Sequence, residues 1–119
     1  MIYGMGIDLT EIDRVFKIQA RLPKFAQRVL TEKERAVYQK LTQRRAAEFL
    51  AGRFSAKEAY SKAYGTGLGT QIGFQDIEIL DEPSGKPVVR KQPFTGIAHV
   101  SISHTSQFVM TQVILEQEG

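Results

Sequence analysis

Residues 43–64 decide the fold, and they read QRRAAEFLAGRFSAKEAYSKAY. The stretch contains no proline and a single glycine, Gly52, and it is rich in Ala, Glu, Lys and Arg, which favour helix. Gly65 follows, and glycine is common directly after a helix end because it accepts a left-handed backbone. The sequence therefore predicts one long helix that begins at Thr42 or Gln43 and ends at Tyr64.

The segment before this helix predicts a strand followed by a first helix. Residues 1–7 are apolar with two glycines and stop at Asp8, which suits a short buried strand that delivers a carboxylate at its end. Thr10 with Asp13 approximates a capping box, which predicts the start of a helix there. Pro23 predicts where this helix ends. The residues expected on the core side of this helix are Ile12, Val15, Phe16 and Leu22.

The rest of the chain predicts another short helix and then sheet. Thr31 with Glu34 forms a second capping box, for a helix through Lys40. After the long helix come several glycines, and period-2 patterns then take over. The strands expected there are around Ile77 and Ile79, over Val88–Arg90, over Ile97–His104 and over Phe108–Leu115. The prediction is a single α+β domain over residues 1–119, with N-terminal helices, including the long one, packed on an antiparallel sheet.

Composition excludes several classes of protein and site. The 119 residues contain no Cys, which rules out a disulfide scaffold, a thiolate zinc site and a cysteine nucleophile. Acidic residues such as Asp8 and Asp13 fall where a secretory signal needs an apolar stretch, so the expected location is the cytoplasm. Residues 92–115 lack charged side chains but are far too polar to span a bilayer.

The net charge of +3 hides an asymmetry between the two halves of the chain. Residues 1–64 carry 13 basic and 7 acidic side chains, whereas residues 65–119 carry 3 basic and 6 acidic ones. A basic half of this kind indicates contact with something anionic, which could be a nucleic acid, a phosphorylated cofactor or an acidic protein.

Glu58 and Lys62 stand four residues apart late in the long helix. On most helices such a pair is only a weak surface ion pair. A second interpretation adds Asp8 as another carboxylate. Two carboxylates together with phosphate oxygens and water make the kind of Mg²⁺ site that acts on nucleotide substrates, with a nearby lysine to balance the remaining phosphate charge.

A basic stripe on the first predicted helix admits two interpretations as well. Arg14, Lys17 and Arg21 fall on one narrow face, and Ile18 lies beside them, away from the predicted core side. An apolar residue among cations suits docking of an acidic amphipathic helix. The alternative is an ordinary solvated basic face.

Two further patterns give weak signals. The glycines from Gly65 to Gly69 follow a helix, whereas a dinucleotide-binding glycine loop needs a strand before it and a helix after it. The serines near His104 lack the nucleophile-elbow pattern of a serine hydrolase. His104 and Thr105, close to a strand end, could instead donate hydrogen bonds to a phosphate.

Three segments taken together resemble the holo-acyl-carrier-protein synthase family, the small type of 4′-phosphopantetheinyl transferase. They are Gly6-Ile7-Asp8 followed by Arg14, the pattern Phe-x-x-Lys-Glu-Ala-x-x-Lys over residues 54–62, and Ser101-Ile102-Ser103-His104-Thr105. Ala51-Gly52-Arg53-Phe54, Gly65-Thr66-Gly67 and Ser84-Gly85-Lys86-Pro87 also fit, in order and at the family's spacing. The resemblance covers nearly the whole chain.

The resemblance implies transfer of the 4′-phosphopantetheine arm of coenzyme A to a serine of apo acyl carrier protein, a Mg²⁺-dependent step of fatty acid biosynthesis that releases adenosine 3′,5′-bisphosphate. It implies Asp8 and Glu58 as metal ligands, and Glu58 and Lys62 as catalytic residues. The base that accepts the serine proton is open between Glu58 and a water held by Asp8 or Glu58. The coenzyme A contacts that it implies are Arg53, Lys57, Ser61, Lys62, Gly85, Lys86, Pro87, His104 and Thr105.

The resemblance also implies the partners. Arg14, Lys17, Ile18 and Arg21 would contact the acyl carrier protein. The family's small members are homotrimers with active sites between neighbouring subunits, and neither a nucleic-acid partner nor a membrane is expected. Two alternatives from other classes are a small nucleic-acid-binding module, which would lack interleaved aromatic residues for base stacking, and a non-catalytic adaptor that docks an acidic helix.

Overall fold

A computed structural model describes residues 1–69 and 71–118. The helices are α1 (Ile12–Arg21), α2 (Phe25–Val29), α3 (Glu32–Tyr38) and α4 (Gln43–Tyr64). The strands are β1 (Ile2–Glu11), β2 (Glu78–Asp81), β3 (Pro87–Lys91), β4 (Ile97–His104) and β5 (Phe108–Glu116), and a 3₁₀ turn spans Phe74–Asp76. The architecture is α+β with helices packed on an antiparallel sheet, so the predicted fold class is confirmed.

The predicted long helix is confirmed with its expected bounds. α4 begins at Gln43 and ends at Tyr64, and Gly65 follows with a left-handed backbone at φ +98°. The Gly65 N–H donates to the carbonyl of Ser61 and so closes the last turn. Because α4 packs against β1 and β5 on one side and against α1, α2 and α3 on others, its buried residues lie all around the helix. Side chains on α4 are therefore fixed from several directions.

The main sheet joins the two ends of the chain. Its strand order is β1-β5-β4, all antiparallel, and β2 pairs with β3 in a separate two-stranded sheet. Asp8 on β1 lies opposite Thr111 on β5. Two sequence expectations are corrected here. The sheet residues form two sheets instead of one, and β1 continues to Glu11, so Asp8 lies inside the strand and not at its end.

Two glycines allow β1 to lie directly on α4. A Cβ at Gly6 would stand 1.9 Å from the carbonyl oxygen of Ala59, and one at Gly4 would stand 2.0 Å from that of Ala63. Both clashes are with helix backbone, which cannot move aside as a side chain can. This contact between strand and helix brings Asp8, two residues after Gly6 on the same face of β1, against α4.

The core divides into two clusters along α4. One surrounds its N-terminal half and includes Ile12, Val15 and Leu50, with Val29 and Leu30 from the α2 region. The other surrounds its C-terminal half, with these buried members: Ala56, Ala59, Tyr60, Ala63, Ile72, Ile77, Ile79, Val113 and Leu115. The helix thus connects the N-terminal helices to both sheets.

The two predicted capping boxes have different outcomes. Thr31 and Glu34 cap α3 reciprocally, as predicted. The first box is wrong, because Thr10 lies in β1 and its hydroxyl donates to Asp8, so α1 begins after Glu11 with no side-chain cap. α2 has no clear sequence signal, since five residues are too few to show a helical period.

The core side of α1 is narrower than its sequence predicts. Ile12 and Val15 are buried, but Phe16 and Leu22 are 54% and 52% exposed. Ile18, expected to lie beside the basic stripe and away from the core, is half-buried. The apolar periodicity therefore located the buried face of α1 but overestimated its width.

An apolar surface lies on the side of the main sheet that points away from α4. Met5, Ile7 and Leu9 of β1 are 58%, 57% and 63% exposed, and Met110 of β5, which lies opposite Leu9, is 50% exposed. Exposed large apolar side chains clustered on one face indicate an interaction surface. We call these four residues the outer sheet face.

Candidate functional site

Three predicted site residues meet where β1 crosses the C-terminal half of α4. The Lys62 Nζ lies 3.2 Å from the Asp8 Oδ1 and also donates to the carbonyl of Ile7 at 2.9 Å. Glu58 is one turn before Lys62 on the helix, close enough to Asp8 for the two charges to interact. We call the cluster of Asp8, Glu58 and Lys62 the carboxylate site.

The electrostatics of this cluster are set by two carboxylates held close together beside one lysine. Burial raises the pKa of Glu58, the nearby charge of Asp8 raises it further, and Lys62 opposes both effects. The Asp8 side chain is itself only 14% exposed. Two carboxylates held together in a partly buried position repel each other, and a divalent cation relieves that repulsion.

Mg²⁺ fits the donor set on chemical grounds. It prefers oxygen ligands and keeps several water or phosphate oxygens, so one or two carboxylates are its usual protein ligands. Asp8 and Glu58 supply two such groups. Across residues 1–69 and 71–118, no three His, Cys, Asp or Glu side chains converge on one point. The remaining ligands would therefore come from water and from a phosphorylated substrate.

Glu58→Gln is expected to raise the melting temperature of the protein in EDTA at pH 7. The pKa of Glu58 is raised on folding, so ionisation of this carboxyl destabilises the native state once the pH exceeds that pKa. Well below pH 4 the carboxyl is protonated in folded and unfolded chains alike, and the difference should vanish. Thermal denaturation followed by circular dichroism at both pH values measures this, and a variant that melts below wild type at pH 7 contradicts it.

Lys57, predicted to contact coenzyme A, is instead part of the core. Its side chain and that of Glu34 are both 0% exposed, and the Lys57 Nζ lies 2.6 Å from the Glu34 Oε1. The same Nζ donates to the carbonyls of Val29 at 2.7 Å and Phe74 at 3.1 Å. Burial lowers the pKa of Lys57, and the Glu34 charge opposes that effect. The predicted phosphate contact is wrong, because an enclosed ammonium with three acceptors cannot reach a ligand.

Two further predicted coenzyme A contacts are also packed inside the protein. Ser61 is buried in this chain and donates to the carbonyl of Glu58 at 2.7 Å, a single bond from a hydroxyl that can rotate, so its predicted contact stays a prediction. Arg53 is buried too, with its Nε on the carbonyl of Ile79 and its Nη2 on the Asp81 Oδ1, both at 3.0 Å. A guanidinium has five N–H donors, so these two bonds leave some of the Arg53 donors for another acceptor. The predicted contact of Arg53 with coenzyme A therefore stays a prediction.

The remaining predicted coenzyme A contacts lie apart from the carboxylate site. His104, with Thr105 next to it, ends β4, and the His104 Nδ1 is 3.8 Å from the Glu48 Oε2. Glu48 precedes Glu58 by about 15 Å along α4, given a rise of about 1.5 Å per residue. Gly85 and Lys86 lie in the turn between β2 and β3 and Pro87 begins β3, and among the described residues no hydrogen bond or ion pair joins them to the carboxylate site.

The predicted carrier-protein face lies along the outside of α1. Arg14, Lys17 and Arg21 are exposed and Ile18 is half-buried. Lys17 pairs with Asp13 at 3.1 Å, and both side chains are largely in solvent, where such a pair contributes little to stability. The structure thus presents a basic strip with one apolar residue, and its role in partner binding stays a prediction.

The sequence interpretation missed three hydroxyl residues around Asp8. Thr10 and Ser55 each donate to the Asp8 Oδ2, at 2.6 Å and 2.7 Å, and Thr111 is hydrogen-bonded to Ser55. Ser55 could have been found, because it shares a helix face with Glu58 at a spacing of three. Thr10 shares a strand face with Asp8. Thr111 is brought near only by the pairing of β5 with β1.

This fold and this site define a class of protein. Residues 4–113 match the family model of the 4′-phosphopantetheinyl transferase superfamily, and the chain belongs to that superfamily. The resemblance to holo-acyl-carrier-protein synthases drawn from the sequence motifs is confirmed, and so is the expectation of an enzyme.

Its relatives are holo-[acyl-carrier-protein] synthases. The one from Levilactobacillus brevis is 63% identical over 117 residues, covering 98% of this chain and 96% of its own length. The one from Lacticaseibacillus casei is 55% identical over 119 residues, covering 100% of this chain and 95% of its own. The crystal structure of a holo-(acyl-carrier-protein) synthase from Bacillus anthracis in complex with CoA (3′,5′-ADP) superposes with a TM-score of 0.92, at 48% identity and 99% coverage of both chains.

Proposed function

We propose that this chain transfers the 4′-phosphopantetheine group of coenzyme A to a serine of apo acyl carrier protein, with Mg²⁺, in fatty acid biosynthesis. The names of its relatives support the donor and the acceptor. The single structural observation that carries the proposal is the carboxylate site. Asp8 and Glu58 lie together beside Lys62, which is the arrangement needed to hold a divalent cation against a pyrophosphate.

The reaction is a phosphoryl-group transfer. The serine oxygen bonds to the β-phosphorus of coenzyme A while the bond from that phosphorus to the bridging oxygen breaks, and its electron pair leaves with adenosine 3′,5′-bisphosphate. Asp8 and Glu58 would hold the Mg²⁺, which when bound would supply positive charge next to the pyrophosphate. Lys62, 53% exposed, reaches the departing phosphate and stabilises its charge. The serine proton passes to Glu58 or to a water beside it.

A direct assay tests this function. The full chain is incubated with apo acyl carrier protein, coenzyme A and Mg²⁺, and the carrier is examined by mass spectrometry. The proposal requires a phosphopantetheine mass increment on the carrier and one equivalent of adenosine 3′,5′-bisphosphate. Carrier binding without either product would favour a non-catalytic adaptor.

Arg14→Glu or Arg21→Glu is expected to raise the KM for apo acyl carrier protein by roughly ten-fold, with little change in the KM for coenzyme A. Both guanidinium groups are exposed on α1, away from the carboxylate site, so charge reversal acts on the encounter with an acidic partner. Initial rates at varied carrier and fixed coenzyme A, and the converse, measure the two constants. Lys40→Glu, an exposed cation outside α1, serves as the charge-matched control. A raised KM for coenzyme A with an unchanged KM for the carrier would refute the assignment of this face to carrier-protein binding.

We infer that three copies of the chain assemble through the outer sheet face, with each active site between neighbours. The number three rests on the family resemblance. Two observations support assembly itself: the outer sheet face is exposed and apolar, and the predicted phosphate contacts at His104 and Thr105 lie far from the carboxylate site of their own chain. A neighbouring copy would supply the missing half of each site.

Leu9→Lys is expected to convert the trimer to monomers and to remove most of the transfer activity. Leu9 is 63% exposed in the isolated chain, so a lysine there is tolerated by the fold but not by an apolar contact between copies. Light scattering after size-exclusion chromatography gives the mass. Val37→Lys, at an exposed apolar residue on α3, is the matched control and should stay trimeric. A trimeric Leu9→Lys variant, or a wild-type monomer, contradicts the inference.

The location and the domain organisation expected from the sequence stay predictions. In the part of the chain that the structure describes, no helix is long and apolar enough to cross a membrane. Fluorescence microscopy of a tagged chain in a bacterial host would test the cytoplasmic location.

A further inference from the structure

The two oxygens of the Asp8 carboxylate have different surroundings. The Oδ2 accepts hydrogen bonds from the Thr10 Oγ1 at 2.6 Å and from the Ser55 Oγ at 2.7 Å. The Oδ1 faces the Lys62 Nζ at 3.2 Å, on the side of the carboxylate site. A carboxylate oxygen can only accept, so both hydroxyl protons must point at the Oδ2.

The direction of the next hydrogen bond follows from proton counting. The Ser55 and Thr111 hydroxyl oxygens are 2.8 Å apart, and either could in principle donate. Ser55 has one hydroxyl proton, and it is used on Asp8. The other acceptor near that proton, the backbone carbonyl of Asp8, is 3.5 Å away and too distant to compete. Thr111 therefore donates to Ser55, and Ser55 donates to Asp8.

This chain of hydroxyls is enclosed in the protein. Ser55 is 0% exposed, Thr111 1% and Thr10 5%, so water does not compete for their protons. Hydrogen bonds in series polarise one another in a medium of low dielectric constant, so the bond from Thr111 strengthens the one from Ser55. The three residues belong to β5, α4 and β1, the elements whose packing places Asp8 at the site.

We propose that Thr111, Ser55 and Thr10 form a hydroxyl relay that positions the Asp8 carboxylate and leaves the Oδ1 as the oxygen it offers to a divalent cation. The proposal rests on the proposed function, because it assigns Asp8 to a cation site. With the Oδ2 engaged by two donors, the side chain cannot rotate to exchange its oxygens without breaking both bonds. The relay residues are positioning residues, since they act on the site through Asp8.

The test measures cation affinity, and it does not depend on transfer activity. The full chain is stripped with EDTA, and Mn²⁺ binding is followed by electron paramagnetic resonance with and without coenzyme A. Ser55→Ala removes the central hydroxyl and is expected to weaken Mn²⁺ binding about ten-fold, the usual size of the loss when a residue supporting a metal ligand is removed. Thr111→Val, which keeps the side-chain shape, should weaken it several-fold, and Thr111→Ser should restore it.

A double-mutant cycle separates the relay from simple packing. Because Thr111 acts only through the Ser55 hydroxyl, Thr111→Val should have no further effect on Mn²⁺ affinity in the Ser55→Ala background. In steady-state transfer assays, the same variants should need more Mg²⁺ for half-maximal rate while reaching near wild-type rates at saturating Mg²⁺. The melting temperature of each variant shows that it is folded.

The outcomes test the relay and the proposed function separately. Unchanged Mn²⁺ affinity in Ser55→Ala and Thr111→Val, an equal loss from Thr111→Val in both backgrounds, or no Mn²⁺ binding by the wild type would each overturn the relay. A different outcome would support the relay and contradict the proposed transfer. In that outcome the wild-type chain binds Mn²⁺, Ser55→Ala and Thr111→Val bind it more weakly, and no holo carrier forms.

Discussion

Asp8→Asn is expected to lower the rate of phosphopantetheine transfer by about 100- to 1,000-fold, the loss seen when a preorganised charge at a reacting centre is removed. Asparagine keeps the size of the side chain and an oxygen that can accept from the hydroxyls of Thr10 and Ser55. It removes the negative charge that, with Glu58, would hold the cation. The effect should therefore fall on activity and on Mg²⁺ binding, while the fold survives.

The measurement compares initial rates of adenosine 3′,5′-bisphosphate release at saturating coenzyme A and carrier. Glu32→Gln removes one carboxylate from the exposed first turn of α3, outside the site, and should keep the wild-type rate. Circular dichroism and the oligomer mass confirm that Asp8→Asn is folded and assembled. Transfer at the wild-type rate by this variant would refute the role of Asp8 as a metal ligand.

Lys57→Met is expected to destabilise the protein by about 3–5 kcal/mol, as removal of one partner from a buried ion pair generally does. The variant leaves the Glu34 carboxylate enclosed without its cation and removes the hydrogen bonds that Lys57 donates to the carbonyls of Val29 and Phe74. Glu34 also accepts from the backbone N–H groups of Thr31 and Ile79, so the pair joins α3, α4 and β2 at one point. Urea denaturation measures the loss in free energy of unfolding.

Lys62→Met is the matched control, because it makes the same change five residues further along the same helix. Lys62 is half-exposed and its ion pair with Asp8 faces solvent, so the free energy of unfolding should change by less than about 1 kcal/mol. Its transfer rate should fall instead. If Lys57→Met kept wild-type stability but lost coenzyme A binding, the structural role of Lys57 would be wrong and the phosphate contact implied by the family resemblance would return.

Local signals in the sequence were sufficient for the long helix and for most of the strands. The long helix was predicted to its ends because a run of strong helix formers without proline is followed by Gly65, and the structure has Gln43–Tyr64. The strand Ile97–His104 has the predicted bounds, since alternating side chains identify a half-buried strand without knowledge of its neighbours. The same motifs were specific enough to identify the family.

Spacing alone could not tell which lysine of α4 faces the site. Lys57 and Lys62 belong to the same motif, and the family resemblance predicts a phosphate contact for both. In the structure, Lys57 forms an enclosed ion pair with Glu34, whereas Lys62 lies beside Asp8. The difference depends on Glu34, 23 residues before Lys57, and on how α3 packs against α4. Such long-range partners leave no periodic signal in a single sequence.

The sequence by itself determined most of the helices and strands and the family, because these depend on residue types at short, fixed spacings, and it named Asp8 and Glu58 as candidate carboxylates of a metal site. Only the tertiary structure decided that β1 pairs with β5, that Gly4 and Gly6 let β1 lie on α4, and that buried hydroxyls hold the Asp8 carboxylate. These contacts join residues far apart in the chain. Their energies come from close packing and enclosed hydrogen bonds, which exist only once the chain has folded.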